Sequence, residues 1–138
     1  MITARFASLE DVKEVVCDNE IYNRVNDDNC PPKEEFEIPI SGYTYVGGYV
    51  GDKVASMFIV HGSEMHYMVL KRYRKYAREL LTESFKVWPY KVFVSIPECY
   101  KEVINFAKNY GFKEVDIEKK SHKKNGILHD VRILVYEV

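Results

Sequence analysis

Cysteine and histidine are scarce in this sequence, and neither forms a disulfide or metal-binding pattern. The cysteines Cys17, Cys30 and Cys99 are odd in number, widely spaced and without a Cys-x-x-Cys pair. This argues against a disulfide framework and against a zinc site. The histidines, which also lack metal-motif spacing, are His61, His66, His122 and His129. We therefore predict no metal ion.

The sequence also lacks an excess of either charge and any long apolar run. Its 20 basic residues nearly balance 21 acidic ones, which gives the chain no global attraction to nucleic acid or to an anionic membrane. No apolar run approaches the roughly 20 residues that a membrane helix needs. Charged residues between Met1 and Glu20 exclude the apolar core of a signal peptide. We expect a soluble cytoplasmic protein without a membrane partner.

Apolar and aromatic residues, in contrast, are plentiful enough to build one core. Of the 138 residues, 46% are hydrophobic and 14% are aromatic. A chain of this length is too short for two ordinary domains. We predict a single domain over residues 1–138.

The first half of the chain predicts a strand, a helix, an irregular segment and a meander of strands. An apolar strand at Ile2 to Phe6 precedes Ser8 and Asp11, whose spacing is typical of a capping box at a helix start. Residues 21–40 are polar and irregular, which indicates a partly helical excursion. Aromatic and branched residues from Tyr43 to Leu70 predict three strands. The turns predicted around and within them are at Gly47-Gly48, Gly51-Asp52 and Gly62-Ser63.

The second half predicts a helix, a strand, a second helix and a final hairpin. Helical periodicity runs from Arg72 to Trp88, where Pro89 ends it. A short strand at Tyr90 to Ile96 follows, and Ser95-Ile96-Pro97 is interpreted as the start of a helix that Gly111 caps. The hairpin strands are predicted at Phe112 to Glu118 and Leu128 to Val138, joined by a charged loop from Lys119 to Gly126 that contains the turn signal Asn125-Gly126.

This order of elements resembles that of the GNAT acetyltransferases, and the match spans almost the whole chain. The run from Asn105 to Val115, Asn-Phe-Ala-Lys-Asn-Tyr-Gly-Phe-Lys-Glu-Val, is similar to the closing helix and Gly-Phe turn of that family. The resemblance implies an α+β fold of the GNAT type. Its central sheet would be mixed and mostly antiparallel, with six to seven strands and flanking helices.

The family binds acetyl-CoA with a strand followed by the motif Arg/Gln-x-x-Gly-x-Gly/Ala. Here Arg72 and Ala77 match the motif, whereas Lys75 stands where a glycine normally lets a phosphate approach the backbone. A second register, with Arg74 as the motif arginine, fits the preceding strand better, and the two registers stay open. The resemblance implies a cofactor site whose residues are Met68, Val69, Leu70, Arg72, Arg74, Lys75, Tyr76, Ala77 and Arg78.

The candidate catalytic residues are Glu64, His66 and Tyr100. Glu64 and His66 share one face of the predicted fourth strand, where many family members place a base or a water relay. The resemblance places Tyr100 where the family has an asparagine that touches the cofactor. It places Ala107 where the family has a tyrosine that protonates the departing thiolate. Tyr73, Tyr76, Tyr100 and Tyr110 are candidate substitutes for that acid, and we select Tyr100.

Two functions follow from this resemblance. The first is an acetyl-CoA-dependent N-acetyltransferase acting on an amine, either a small molecule or a protein. Negative charge at Glu20, Asp27 and Asp28 would favour such a cationic acceptor. The second is a GNAT-fold protein without catalysis that acts as a binding or virion (head) assembly factor, because the chain also resembles divergent GNAT-like proteins of tailed bacteriophages; its location would then be the host cytoplasm.

Partners other than an amine or a protein are weakly indicated. Lysines in the last hairpin and in the basic helix start leave nucleic acid as an unlikely third option. Self-association into a homo-oligomer is left open.

Overall fold

Seven strands form one sheet in the part of the chain that the structure describes. The structure is a computed structural model that describes residues 1–25 and 30–138. The strands are β1 (Ile2–Phe6), β2 (Tyr43–Val50), β3 (Lys53–His61), β4 (Glu64–Val69), β5 (Val92–Pro97), β6 (Lys113–Lys124) and β7 (Ile127–Tyr136). Their order is β1-β2-β3-β4-β5-β7-β6, with β4 and β5 parallel and the other neighbours antiparallel. This confirms the predicted mixed, mostly antiparallel sheet.

Helices cover both faces of the sheet. They are α1 (Leu9–Val16), α2 (Asn19–Val25), α3 (Ala77–Val87) and α4 (Lys101–Tyr110), with 3-10 helices at Lys33–Glu35 and Lys71–Tyr76. Successive side chains of a strand point to opposite faces. On β3, Phe58 therefore belongs to the apolar cluster of α3 and α4, whereas Met57 belongs to the cluster of α1 and α2.

Three local predictions are confirmed. The Asp11 amide donates to Ser8 Oγ at 3.2 Å, which caps α1. Gly111 has φ 127° and donates its amide to the Ala107 carbonyl at 3.1 Å, which ends α4. Asn125 and Gly126 both have positive φ and join β6 to β7 in a two-residue turn, as this dipeptide favours.

Other boundaries differ from the prediction. β5 continues to Pro97, which pairs with Val131, so α4 starts at Lys101 rather than near Ser95. β6 continues to Lys124 instead of opening into a loop at residue 119. The Asp130 carboxylate explains this, because it accepts the Lys120 amide at 3.0 Å and so supports the irregular stretch of the strand.

The predicted helix at Arg72 also starts differently. Residues 71–76 form a 3-10 helix, and regular α-helix begins only at Ala77. Leu70, the residue before the turn, has no capping side chain. Lys71 and Lys75 lie four residues apart, a spacing at which like charges disfavour an α-helix.

Gly47-Gly48 lies inside β2 and does not form the predicted turn. A Cβ atom at Gly48 would lie 2.2 Å from Ser56 Oγ and 2.9 Å from Leu80 Cδ2, and both of those residues are fully buried. The glycine is required because β3 and α3 approach β2 too closely for any side chain.

We expect the substitution Gly48→Ala to destabilise the protein by about 1–3 kcal/mol, the usual cost of overpacking a core. Urea unfolding of the two proteins measures this difference. In a Ser56→Ala background the closest contact is gone, so the same substitution should cost less. A Gly48→Ala variant as stable as the parent would contradict this account.

Candidate active site

Neighbouring strands of the sheet are least paired at the gap between the parallel strands β4 and β5. In the described residues these strands share one pairing, Glu64 with Phe93, next to the Phe93 amide that donates to the Ser63 carbonyl at 2.9 Å. Beyond this level, β4 pairs only with β3 on its other side. Backbone groups of β4 that face the gap are therefore available to an extended ligand, as they are at any exposed sheet edge.

The strand residues predicted to bind the cofactor, Met68, Val69 and Leu70, lie at the open end of this gap. The Met68 and Leu70 side chains are buried against α1, and Val69 is half-buried. The Leu70 amide donates to the Ala55 carbonyl at 2.9 Å, which fixes the end of β4 to β3. Because Leu70 and, two residues earlier, Met68 direct their backbone groups to β3, the backbone that faces the gap here is that of Val69.

A cluster of basic side chains follows directly at the end of β4. We call residues 71–78 the basic segment; its exposed cations are Lys71, Arg72, Arg74, Lys75 and Arg78. Tyr76 and Ala77 lie half-buried at its junction with α3. Such a concentration of positive charge at the mouth of a gap suits an anionic ligand.

The backbone amides of this segment are partly used by the 3-10 helix itself. The Tyr73 amide donates to the Leu70 carbonyl at 2.9 Å, and the Ala77 amide donates to the Arg74 carbonyl. Lys75, which replaces the motif glycine, is the last residue but one of this helix. The segment therefore offers cationic side chains to an anion more than free amides.

The cations of the basic segment differ in their present contacts. Arg74 forms an ion pair with Glu20 at the start of α2. The Arg78 guanidinium lies 5.1 Å from the centre of the Tyr110 ring. The Arg72 guanidinium lies 5.2 Å from the centre of the ring of its neighbour Tyr73. These contacts do not decide between the two registers of the motif.

Glu64 and His66 lie together at the closed end of the gap. Both belong to the sheet face that α1 packs on, because Glu64 is aligned with His61 and His66 with Ile59. His66 keeps an exposed surface while Glu64 is half-buried, so α1 does not cover this part of the face. The structure thus brings two of the three predicted catalytic side chains together.

The pKa of His66 is lowered from its ordinary value. Desolvation by the surrounding protein is the main cause, the Glu64 carboxylate opposes it, and His61 adds to it. An imidazole with a lowered pKa is neutral at pH 7 and can accept a proton.

Tyr100 lies away from this pair. It precedes α4, beyond the end of β5, and its amide donates to the Pro97 carbonyl at 3.0 Å. Since Phe93 is level with Glu64, Pro97 lies about 13 Å further along the sheet by the usual strand rise. The half-buried Tyr100 ring packs edge-on against His122, with centroids 6.5 Å apart.

Two further positions bear on the predicted chemistry. Ala107, which replaces the family tyrosine, is buried in the core and offers no proton. Glu20, predicted to attract a cationic acceptor, is held by Arg74. The other acidic residues of that prediction, Asp27 and Asp28, lie outside the described residues.

Sequence reasoning missed Tyr67. Its hydroxyl donates to the Ala77 carbonyl at 2.6 Å, and its ring stacks on Phe106 of α4 with centroids 6.4 Å apart. The sequence feature that could have indicated it is a tyrosine, with its hydroxyl group, in the strand just before the basic residues. Strand alternation places Tyr67 on the face opposite His66 and gives no sign of its contact with Ala77.

Neither a metal cluster nor a membrane span is found in residues 1–25 and 30–138. No group of three or more His, Cys, Asp or Glu side chains there is placed to hold a metal ion. No helix of that part is long and apolar enough to cross a membrane.

Comparison with known proteins identifies the fold. No protein-family model and no curated protein sequence matches the chain. Among solved structures, spermidine N-acetyltransferase from Vibrio cholerae in complex with CoA and spermine matches 98% of this chain and 94% of its own, with TM-score 0.77 and 14% identity.

Two further structures agree with this match. The ribosomal-protein-S18-alanine N-acetyltransferase from Escherichia coli matches 98% of this chain and 92% of its own, with TM-score 0.66 and 17% identity. A candidate phosphinothricin N-acetyltransferase matches 100% and 99%, with TM-score 0.73 and 18% identity. The chain therefore has the GNAT fold, as its sequence predicts.

Proposed function

We propose that this protein is an acetyl-CoA-dependent N-acetyltransferase that acts on an amine. The observation that carries the proposal is the gap between β4 and β5, closed at Glu64 and Phe93 and followed at its open end by the basic segment. The GNAT fold of the chain and the N-acetyltransferases among its structural matches support it.

The residues at the gap fit the chemical parts of the cofactor. Basic side chains at positions 71–78 suit the phosphates, because charge-assisted contacts to phosphate are about twice as strong as neutral ones. Within Met68 to Leu70, the gap-facing backbone of Val69 suits the amides of an extended arm. When bound, acetyl-CoA supplies an acetyl group activated as a thioester.

We assign the two proton transfers to His66 and Tyr100, and an electrostatic role to Glu64. Neutral His66 accepts the proton of the acceptor ammonium, which frees the nitrogen lone pair for attack. Glu64, beside it on the same face, attracts the cationic acceptor and supports the protonated imidazole. Tyr100, on the α4 side of the gap, takes the place of the tyrosine missing at Ala107: it donates its hydroxyl proton to the leaving thiolate and regains a proton from solvent.

The acceptor class is an amine, whether of a small molecule or of a protein. Among the matched structures, one is in complex with spermine and another acts on an alanine of ribosomal protein S18. On this chain, Glu64 and His66 present a carboxylate and a base on the uncovered part of the α1 face. This arrangement favours a cation approaching from the side opposite α3 and α4.

The alternative is a GNAT-fold protein that binds without catalysis, for example as a phage assembly factor. The observation that favours it is local: Lys75 and Ala107 replace two residues on which the family's chemistry depends. It differs from the main proposal in expecting no turnover.

Calorimetry with CoA and acetyl-CoA, followed by thiol release in the presence of an amine panel, tests the proposal. We expect saturable CoA binding and amine-dependent thiol release. Binding without turnover would favour the alternative. Absence of CoA binding at millimolar concentration would overturn both the cofactor assignment and the proposed enzymatic activity.

The pH profile of turnover should respond to the charges around His66. Because the base works in its neutral form, kcat/KM should rise with pH through the lowered pKa of His66. Glu64→Gln removes the charge that raises this pKa, so the acid limb should move to lower pH. His61→Gln should move it in the opposite direction.

A matched control is Glu10→Gln, which removes one carboxylate from the exposed surface of α1. Its acid limb should coincide with that of the parent. Equal displacement in the Glu64 and Glu10 variants would show that the limb does not report on His66.

A further inference from the structure

The basic segment is held in place at both of its ends. At the start, the Leu70 amide donates to the Ala55 carbonyl at 2.9 Å and ties the segment to β3. At the other end, the Tyr67 hydroxyl donates to the Ala77 carbonyl at 2.6 Å, where the 3-10 helix becomes α3. The second contact comes from a side chain and can be removed without touching any cation.

Tyr67 joins the elements that surround the gap. It stands on β4, its hydroxyl reaches the first residue of α3, and its ring stacks on Phe106 of α4. Burial strongly raises the pKa of the Tyr67 hydroxyl, which therefore stays protonated as a donor. A buried donor with one defined acceptor fixes the position of that acceptor.

We propose that Tyr67 is a positioning residue for the phosphate contacts of the cofactor, an inference that rests on the proposed function. Because the 3-10 turns use the amides of Tyr73 and Ala77, the segment holds phosphate chiefly through its side chains. The direction of those side chains depends on where the segment ends. Tyr67 sets that end at Ala77.

The test compares CoA with pantetheine, which has the same arm without phosphates, by calorimetry on the parent and on Tyr67→Phe. Loss of one hydrogen bond of this kind corresponds to roughly 2- to 12-fold in an equilibrium constant. We expect Tyr67→Phe to weaken CoA binding about 5-fold, while pantetheine binding stays within twofold.

Tyr49→Phe is the matched control. It also deletes one buried tyrosine hydroxyl, which donates to Asp11 Oδ2 at 2.7 Å, outside the basic segment. Both variants should melt at a lower temperature than the parent, but the control should bind CoA normally. A general loss of stability would affect the two variants alike.

The possible results distinguish a failure of the inference about Tyr67 from a failure of the proposed function. Unchanged CoA affinity in Tyr67→Phe overturns the inference, as does an equal loss of CoA affinity in both variants or an equal loss for CoA and pantetheine. If the parent protein itself does not bind CoA, both the proposed function and the inference about Tyr67 are overturned.

Discussion

Replacing His66 with alanine is expected to lower kcat/KM for acetyl transfer by about 100- to 10,000-fold, the usual range for loss of a general base. His66 is the titratable side chain at the closed end of the gap whose pKa is lowered, and it keeps an exposed surface. The substitution removes the proton acceptor while leaving the basic segment in place. Affinity for CoA, measured by calorimetry, should therefore stay within about twofold of the parent.

The His66→Ala prediction has two internal checks. The acid limb of the pH profile should disappear, and added imidazole should restore part of the rate because it supplies the missing base. His129→Gln, a change of another partly exposed histidine on β7, should leave kcat/KM unchanged. A His66→Ala enzyme within threefold of the parent would mean that another group, or solvent, takes the proton.

The fold was predictable because its signals are local and agree with each other. Ser8 and Asp11 mark a helix start, Gly111 marks a helix end, and Asn125-Gly126 marks a hairpin turn, and all three do so in the structure. The order of these elements along the chain then leaves few ways to build the sheet.

The errors in the prediction come from contacts between residues distant in sequence. Gly47-Gly48 has the composition of a turn, yet it lies in a strand because Ser56 and Leu80 occupy the space where side chains would be. The loop predicted after residue 118 is strand because Asp130, on β7, accepts the Lys120 amide. Neither neighbour is visible in a local pattern.

For the candidate site, the sequence predicted the strand and the basic residues after it, but not the contacts that hold them in place. Alternation placed Glu64 and His66 on one face, and the register with β3 agrees. The ion pair of Arg74 with Glu20 and the bond from Tyr67 to Ala77 join residues by tertiary contact alone. The catalytic roles of Glu64, His66 and Tyr100 remain predictions for experiment.

The combined substitution Lys71→Ala, Arg72→Ala and Lys75→Ala should weaken CoA binding by about 100-fold, as expected for losing two or more charge-assisted contacts to phosphate. All three side chains are exposed, so the fold should be unaffected. The dependence of the CoA dissociation constant on salt should become shallower, because fewer charges remain to be screened. Calorimetry at low and high salt measures both effects.

A control that removes the same charge elsewhere, Lys53→Ala with Lys113→Ala and Lys123→Ala, should bind CoA like the parent, since these exposed lysines lie on β3 and β6.

The comparison decides how this chain holds phosphate without the motif glycine. If the basic-segment variant kept full affinity, backbone amides would have to hold the phosphates. The 3-10 helix would then have to open, because it already uses the amides of Tyr73 and Ala77. If affinity falls as expected, the phosphates are held by side-chain charge in place of the backbone amide contacts that the motif glycine allows. The change from glycine to Lys75 then preserves the site.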